Sequence, residues 1–91
     1  MNKEDLVKEV AKKTRISQKL ASEIINLTLE TIEKNVSKGK KVVLVGFGSF
    51  ELRHRAARTG RNPQNGAVIQ IPAKKVPAFA AGKRFKDLAN S

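Results

Sequence analysis

Between Ser17 and Gly39 the chain carries Leu20, Ala21, Ile24, Ile25, Leu27, Leu29, Ile32 and Val36. At about 100° per residue these side chains spread over roughly 200° of a helix surface. A helix that covers one core needs an apolar stripe only about 100° wide. The excess predicts that this helix covers two different surfaces. A chain of 91 residues buries a comparatively small share of its surface when folded alone. The second surface is most simply supplied by another copy of the chain, so a homodimer is expected.

The flanking residues delimit the elements. Ser17 is placed to cap this long helix and Gly39 to end it. Ahead of it, Asn2 caps a first helix, with Asp5 complementing the helix dipole and Leu6, Val7, Val10 and Ala11 at three- and four-residue spacings. Thr14 to Ile16 connect the two. After Gly39 the pattern becomes β: Lys40–Val45 and Ser49–Arg53 read as strands joined through Gly46-Phe47-Gly48, where the glycines suggest a tight turn or bulge. Val68–Ile71 reads as a third strand, with Asn65-Gly66 as the hairpin signal before it. Pro72 and Pro77 demote the stretch that follows to an edge or a bent ribbon. Gly82 to Leu88 allows one short final helix. The expected order is ααβββα, an α+β fold in which two N-terminal helices precede a three-stranded antiparallel sheet with a protruding β-ribbon arm, and a short C-terminal helix follows.

Charge is divided unevenly along this order. Residues 1–39 hold eight basic and six acidic side chains, net +2, whereas residues 40–91 hold eleven basic and two acidic, net +9. Between Glu51 and Asp87 there is no acid, while Arg53, Arg55, Arg58, Arg61, Lys74 and Lys75 fall in that interval. No large apolar side chain lies between Ala56 and Ala67, so this part cannot build a core and reads as a mobile loop or an arm that orders on its target. Such a field favours polyanions and fast, salt-sensitive association, with nucleic acid the leading partner class and an anionic membrane second. Basic arms also serve merely as solubilising faces.

Other function classes lack their residues. The longest apolar run, Val42 to Phe47 with Gly46 inside it, is far short of the roughly 20 residues that cross a bilayer. The N-terminus has no apolar secretory core, and absence of cysteine fits a reducing, cytoplasmic setting. One histidine and no cysteine argue against a metal site; His54 reads as an exposed strand residue that touches phosphate. Glu51 stands where the dinucleotide fingerprint after Gly46 and Gly48 needs its third glycine, and no phosphate loop occurs. Ser49 lacks the glycine pattern of a nucleophile elbow, and no carboxylate pair sits beside a basic catalytic partner. No enzyme, no cofactor and no small-molecule substrate are expected. Phe47, Phe50 and Phe79 read as core rather than base-stacking platforms, and are assigned to the dimer interior.

Five segments, Val45-Gly46-Phe47-Gly48-Ser49-Phe50-Glu51, Arg58-Thr59-Gly60-Arg61-Asn62-Pro63-Gln64, Ile71-Pro72-Ala73, Val76-Pro77-Ala78-Phe79 and Gly82-Lys83, closely resemble the bacterial histone-like HU and integration host factor family in sequence and in order. The likeness runs from Met1 to about Leu88. It implies an intertwined dimer that bends double-stranded DNA in the bacterial nucleoid, with HU favoured over integration host factor and a heterodimer with a paralogue left open. It implies one DNA-binding domain over 1–91: a helical dimerisation part to 39, a sheet part from 40 to 80 with the DNA-binding arm at about 53–75, and a C-terminal helix in 81–91. Pro63 matches the family's wedge between base pairs. Arg53, Arg55, Arg58 and Arg61 would line the arm, Lys74 and Lys75 its returning strand, and Asn62 and Gln64 would reach base edges of the minor groove. Lys3, Lys83 and Lys86 match positions where the body adds phosphate contacts. Asn65 where Thr is common, Gln18 where a basic residue is common, and Asn90-Ser91 at the end are the departures. The expected function is therefore architectural: low-specificity binding and bending of duplex DNA through the minor groove, with an RNA-binding or ribosome-associated basic protein as the alternative class.

Overall fold

The computed structural model describes all 91 residues, which form two compact units, Met1–Lys34 and Asn35–Ser91. In the first unit, helix α1 (Lys3–Thr14) begins on a reciprocal cap. Asn2 Oδ1 accepts from the Asp5 N–H at 2.9 Å, and Asp5 Oδ2 accepts from the Asn2 N–H at 3.1 Å. Satisfying these otherwise orphaned donors stabilises the helix by about 1 kcal/mol. Its end is Arg15, in the left-handed region at φ 59°. The chain then returns Ile16 to a small core of Val7, Ala11 and Ala21, with Val10 and Ile25 beside it.

Helix α2 (Gln18–Ser37) is capped by Ser17, whose Oγ accepts from the Leu20 N–H at 3.0 Å. At its other end Gly39, at φ 85°, donates to the Val36 carbonyl at 2.9 Å, and the Lys40 N–H donates to the Asn35 carbonyl at 2.9 Å. This pair of bonds is the Schellman closure, which needs a left-handed residue and so favours glycine. The wide apolar arc resolves into two stripes. Ala21 and Val36 are buried at 0% and 5% exposure, with Ile25 and Ile32 half-buried on the same side. Leu20, Ile24 and Leu27, about 100° around the helix, stay 44%, 51% and 64% exposed. No helix is long and apolar enough to cross a membrane.

The second unit holds β1 (Val42–Leu44), β2 (Gly48–Arg55), β3 (Arg58–Arg61), β4 (Val68–Ile71), β5 (Lys74–Ala81) and helix α3 (Lys83–Ala89). A three-stranded antiparallel sheet runs β1-β2-β5, and a separate two-stranded ribbon pairs β3 with β4. This corrects the strand reading: the order is ααβββββα where ααβββα was expected, and Arg58–Arg61 forms a strand that was not anticipated. Val68–Ile71 belongs to the ribbon, and the sheet's third strand is Lys74–Ala81, with Pro77 opposite Leu52. Proline lacks the N–H a central strand must donate, and β5 tolerates it as the edge strand it is.

A turn closed by the Phe47 N–H on the Leu44 carbonyl at 2.9 Å joins β1 to β2. Helix α3 docks on that turn, the Gly82 N–H donating to the Phe47 carbonyl at 2.8 Å. All four phenylalanines meet on this framework. Phe79 lies 4.9 Å from Phe50, 5.3 Å from Phe47 and 6.3 Å from Phe85 between ring centroids. Phe85 was not singled out from the sequence, and it completes the cluster. The Phe79 ring lies directly over Gly48, where a Cβ would stand 2.5 Å from its Cε1 and 2.6 Å from the Ala80 carbonyl oxygen. Gly48→Ala should therefore lower stability by about 1–3 kcal/mol, the usual range for overpacking, read as a reduced urea midpoint. An unchanged midpoint would show that the Phe79 ring is not held over this strand.

Candidate nucleic-acid interface

The candidate surface starts where β2 and β5 leave the sheet as a ribbon. Arg53 pairs with Val76, His54 with Lys75 and Arg55 with Lys74. Residues directly opposite in an antiparallel ladder share a face, so Arg53, Arg55 and Lys74 lie on one side and His54 and Lys75 on the other. Ladder pairing then stops: Ala56-Ala57 and Pro72-Ala73 lie outside both sheets. The missing N–H of Pro72 interrupts the bonding at this point.

Pairing resumes in β3 and β4, where Arg58 stands opposite Ile71 and Arg61 opposite Val68. Arg58 and Arg61 are an odd number of residues apart, so they occupy opposite faces of the ribbon. The arginines are distributed around the arm and do not form one stripe. Ile71 Cδ1 lies 3.0 Å from where a Cβ on Gly60 would be, so the glycine leaves room for an aliphatic side chain across the ribbon. Val68 and Ile69 are exposed, an apolar component of the arm that charge counting overlooks.

The tip is held by its own amides. The Asn62 N–H donates to the Ala67 carbonyl at 2.8 Å, and the Gly66 N–H donates to the Asn62 carbonyl at 2.7 Å. Asn62 Oδ1 accepts from the Gln64 N–H and Asn65 Oδ1 from the Ala67 N–H, both at 2.9 Å. Asparagine is suited to such side-chain-closed turns, and Gly66 supplies the positive φ of 71°. Pro63 sits exposed in this turn beside exposed Gln64. Two expected groups are thus partly engaged within the arm: the Asn62 carbonyl oxygen by its own turn, and Arg61, whose Nη1 donates to the Gly66 carbonyl at 3.4 Å.

Only two ion pairs form, Lys13 with Glu9 at 3.1 Å and Arg53 Nε with Glu51 Oε1 at 3.3 Å. The second lies at the arm's base, so Arg53 has a local counter-charge, unlike Arg55, Arg58, Lys74 and Lys75. An exposed pair of this kind contributes about 0–1 kcal/mol, little enough to be exchanged for a stronger anion. Away from the arm, Lys3 opens α1, and Lys83 and Lys86 lie on α3, all exposed. Arg84, between the two α3 lysines, packs its guanidinium over the Gly46 turn. It was overlooked in the sequence, although the run Lys83-Arg84 pointed to it.

Against known proteins, the family described as bacterial DNA-binding protein matches over residues 1–90. The DNA-binding protein HU of Staphylococcus aureus is 53% identical over 87 residues, covering 96% of this chain and 97% of that protein. The DNA-binding protein HU of Streptococcus downei is 54% identical over 86 residues, covering 94% of each. Among solved structures, the Anabaena HU–DNA cocrystal superimposes with a TM-score of 0.90 at 52% identity, covering 98% of this chain and 97% of that one.

The tip geometry carries its own test. Asn65→Ala removes the acceptor of the Ala67 N–H, a bond whose net contribution is about 0.5–1.5 kcal/mol. Amide exchange at Ala67 should accelerate about two- to tenfold while exchange in α1 is unchanged. Equal Ala67 rates in both proteins would mean that the side chain does not pin the turn.

Proposed function

The chain belongs to the bacterial DNA-binding protein family that includes HU, and from that premise we propose that it is an architectural protein of the nucleoid, a homodimer that binds duplex DNA with little sequence preference and bends it. It is a binding protein and not an enzyme. The observation that carries this reading is the exposed Pro63 held at the end of a cationic ribbon by the hydrogen bonds of Asn62 and Asn65. Its ring is compact, apolar and fixed in φ, so inserting it between base pairs costs little ordering entropy. Wedge insertion from the minor groove is described for HU-type proteins themselves and is carried over here from them, with unstacking of a step costing a few kcal/mol. The bend recovers that cost by bringing more phosphate to the protein.

Arg53, Arg55, Arg58, Arg61, Lys74 and Lys75 supply the charge along the arm, and their distribution around the ribbon suits an object flanked by phosphates on both sides. Lys3, Lys83 and Lys86 add contacts beyond the bend. The minor groove distinguishes little more than A·T from G·C, and the Asn62 carbonyl is already used, which favours low selectivity. Dimerisation is supported by the apolar surface. Only Val7, Ala11, Ala21 and Val36 are buried apolar side chains, while Leu20, Ile24, Leu27, Phe47, Phe79 and Phe85 are at least 40% exposed in the single chain. Exposed apolar surface of this kind marks interaction sites, which supports assigning Phe47, Phe50 and Phe79 to the dimer interior.

Duplex affinity should fall about a thousandfold or more between roughly 50 and 200 mM salt, because counterion release drives such binding. An isotherm that hardly moves with salt would contradict the ionic reading. Pro63→Ala should restore most of the end-to-end distance of a fluorescently labelled duplex while affinity changes less, whereas Arg58→Ala should lower the salt slope by about 0.9 for each contact removed. Bending by the Pro63→Ala protein equal to that of the parent would refute the wedge. Sedimentation at micromolar concentration should give a dimer, and a stable monomer would remove the twin-subunit step.

A further inference from the structure

Resting on the DNA-binding reading, we propose that His54 makes duplex binding proton-linked: its protonated ring joins Lys75, its partner directly across the ladder, in holding a backbone phosphate at the root of the arm. His54 and Lys75 share one face of the ribbon, and the residues Arg55, Ala56, Ala73 and Lys74 join them in lining a recess of about 360 Å³. It lies where the ladder breaks after the His54–Lys75 and Arg55–Lys74 pairs. Every side chain around it larger than alanine is cationic or can become so.

The charged neighbours of His54 are all of one sign save one. On β2 they are Arg53 and Arg55, on β5 Lys74 and Lys75, and Arg58 follows on β3. The single acid of these strands, Glu51, lies on the opposite face of β2 from His54 and is paired with Arg53 at 3.3 Å. His54 therefore has no carboxylate partner in the free protein. Imidazole is the side chain that changes charge between about pH 5 and 8. Neutral, it offers one N–H; protonated, it offers two and a positive charge. A phosphate in the recess gives the protonated ring the anionic partner it otherwise lacks, so binding takes up a proton at each arm. The sign follows: affinity rises as pH falls through the histidine range.

His54 is the chain's single histidine, so its ring resonance needs no assignment. Duplex affinity of the full chain is measured at constant ionic strength from about pH 8 to pH 5.5, with ring titrations in the free and DNA-bound states. The parent should bind up to about tenfold more tightly per arm at the acid end, and DNA should move the pH range over which its ring resonance changes. His54→Gln should be nearly flat in pH at the weaker level, and His54→Arg flat at the tighter one. Salt-sensitive binding whose pH dependence is the same in the parent and His54→Gln would overturn the proton linkage while leaving the DNA reading intact. A ring titration that DNA does not move would do the same. Absence of duplex binding at every pH in all three proteins would overturn both.

Discussion

A chain that carries more apolar surface than it can bury by itself governs this molecule. Within Met1–Lys34 the covered core is small, Val7, Ala11 and Ala21. One stripe of α2 faces that core, and the other, Leu20, Ile24 and Leu27, has nothing over it. In Asn35–Ser91 four phenylalanine rings form a cluster three of whose members remain about 40% exposed. Burial of apolar area is the dominant favourable term in folding. Each unit therefore has a face whose stabilisation awaits a partner, and a second copy of the same chain presents the same faces. Two arms per particle follow directly from that proposed pairing.

The arm obeys a different rule, since it has almost no core to stabilise it. Its order comes from ladder hydrogen bonds, from Ile71 lying across Gly60, and from two asparagine side chains that close the tip onto the backbone. Local hydrogen bonds of this kind are individually worth about 1 kcal/mol. They are enough to set the position of Pro63 relative to its neighbours without anchoring the ribbon to anything else. The break at Ala56-Ala57 and Pro72-Ala73 separates the tip ribbon from the sheet, and the cations flanking that break have no acid beside them. The recess proposed to hold a phosphate falls at this break, between the tip and the sheet.

Much of this was legible in the residues. Asn2, Ser17 and Gly39 marked helix ends because capping depends on a few atoms close in sequence, and each performs that role here. The 200° arc on α2 announced two surfaces because helical geometry converts spacing directly into angle. Strand partnership was less legible. Val68–Ile71 alternates well enough to look like a sheet strand, and Pro77 made Lys74–Ala81 look like a poor one. Which strand pairs with which depends on contacts distant in sequence, and there the register of β2 with β5 prevailed over local propensity. The site shows the same division. Arg53 and Arg55 share a face by simple alternation, but the Glu51 partner of Arg53, the use of Asn62 by its own turn, the fold-back of Arg61 and the packing of Arg84 over Gly46 all required coordinates.

Sequence alone determined the composition of the arm, its lack of neutralising acids, the caps of both long helices and the surplus of apolar surface, since each depends on residue identity and near-neighbour spacing. Tertiary structure decided which strands form the sheet, which cations meet across the ladder and how Phe85 joins the other rings. Those outcomes depend on pairing register and on side chains brought together from distant parts of the chain, and no local pattern encodes them.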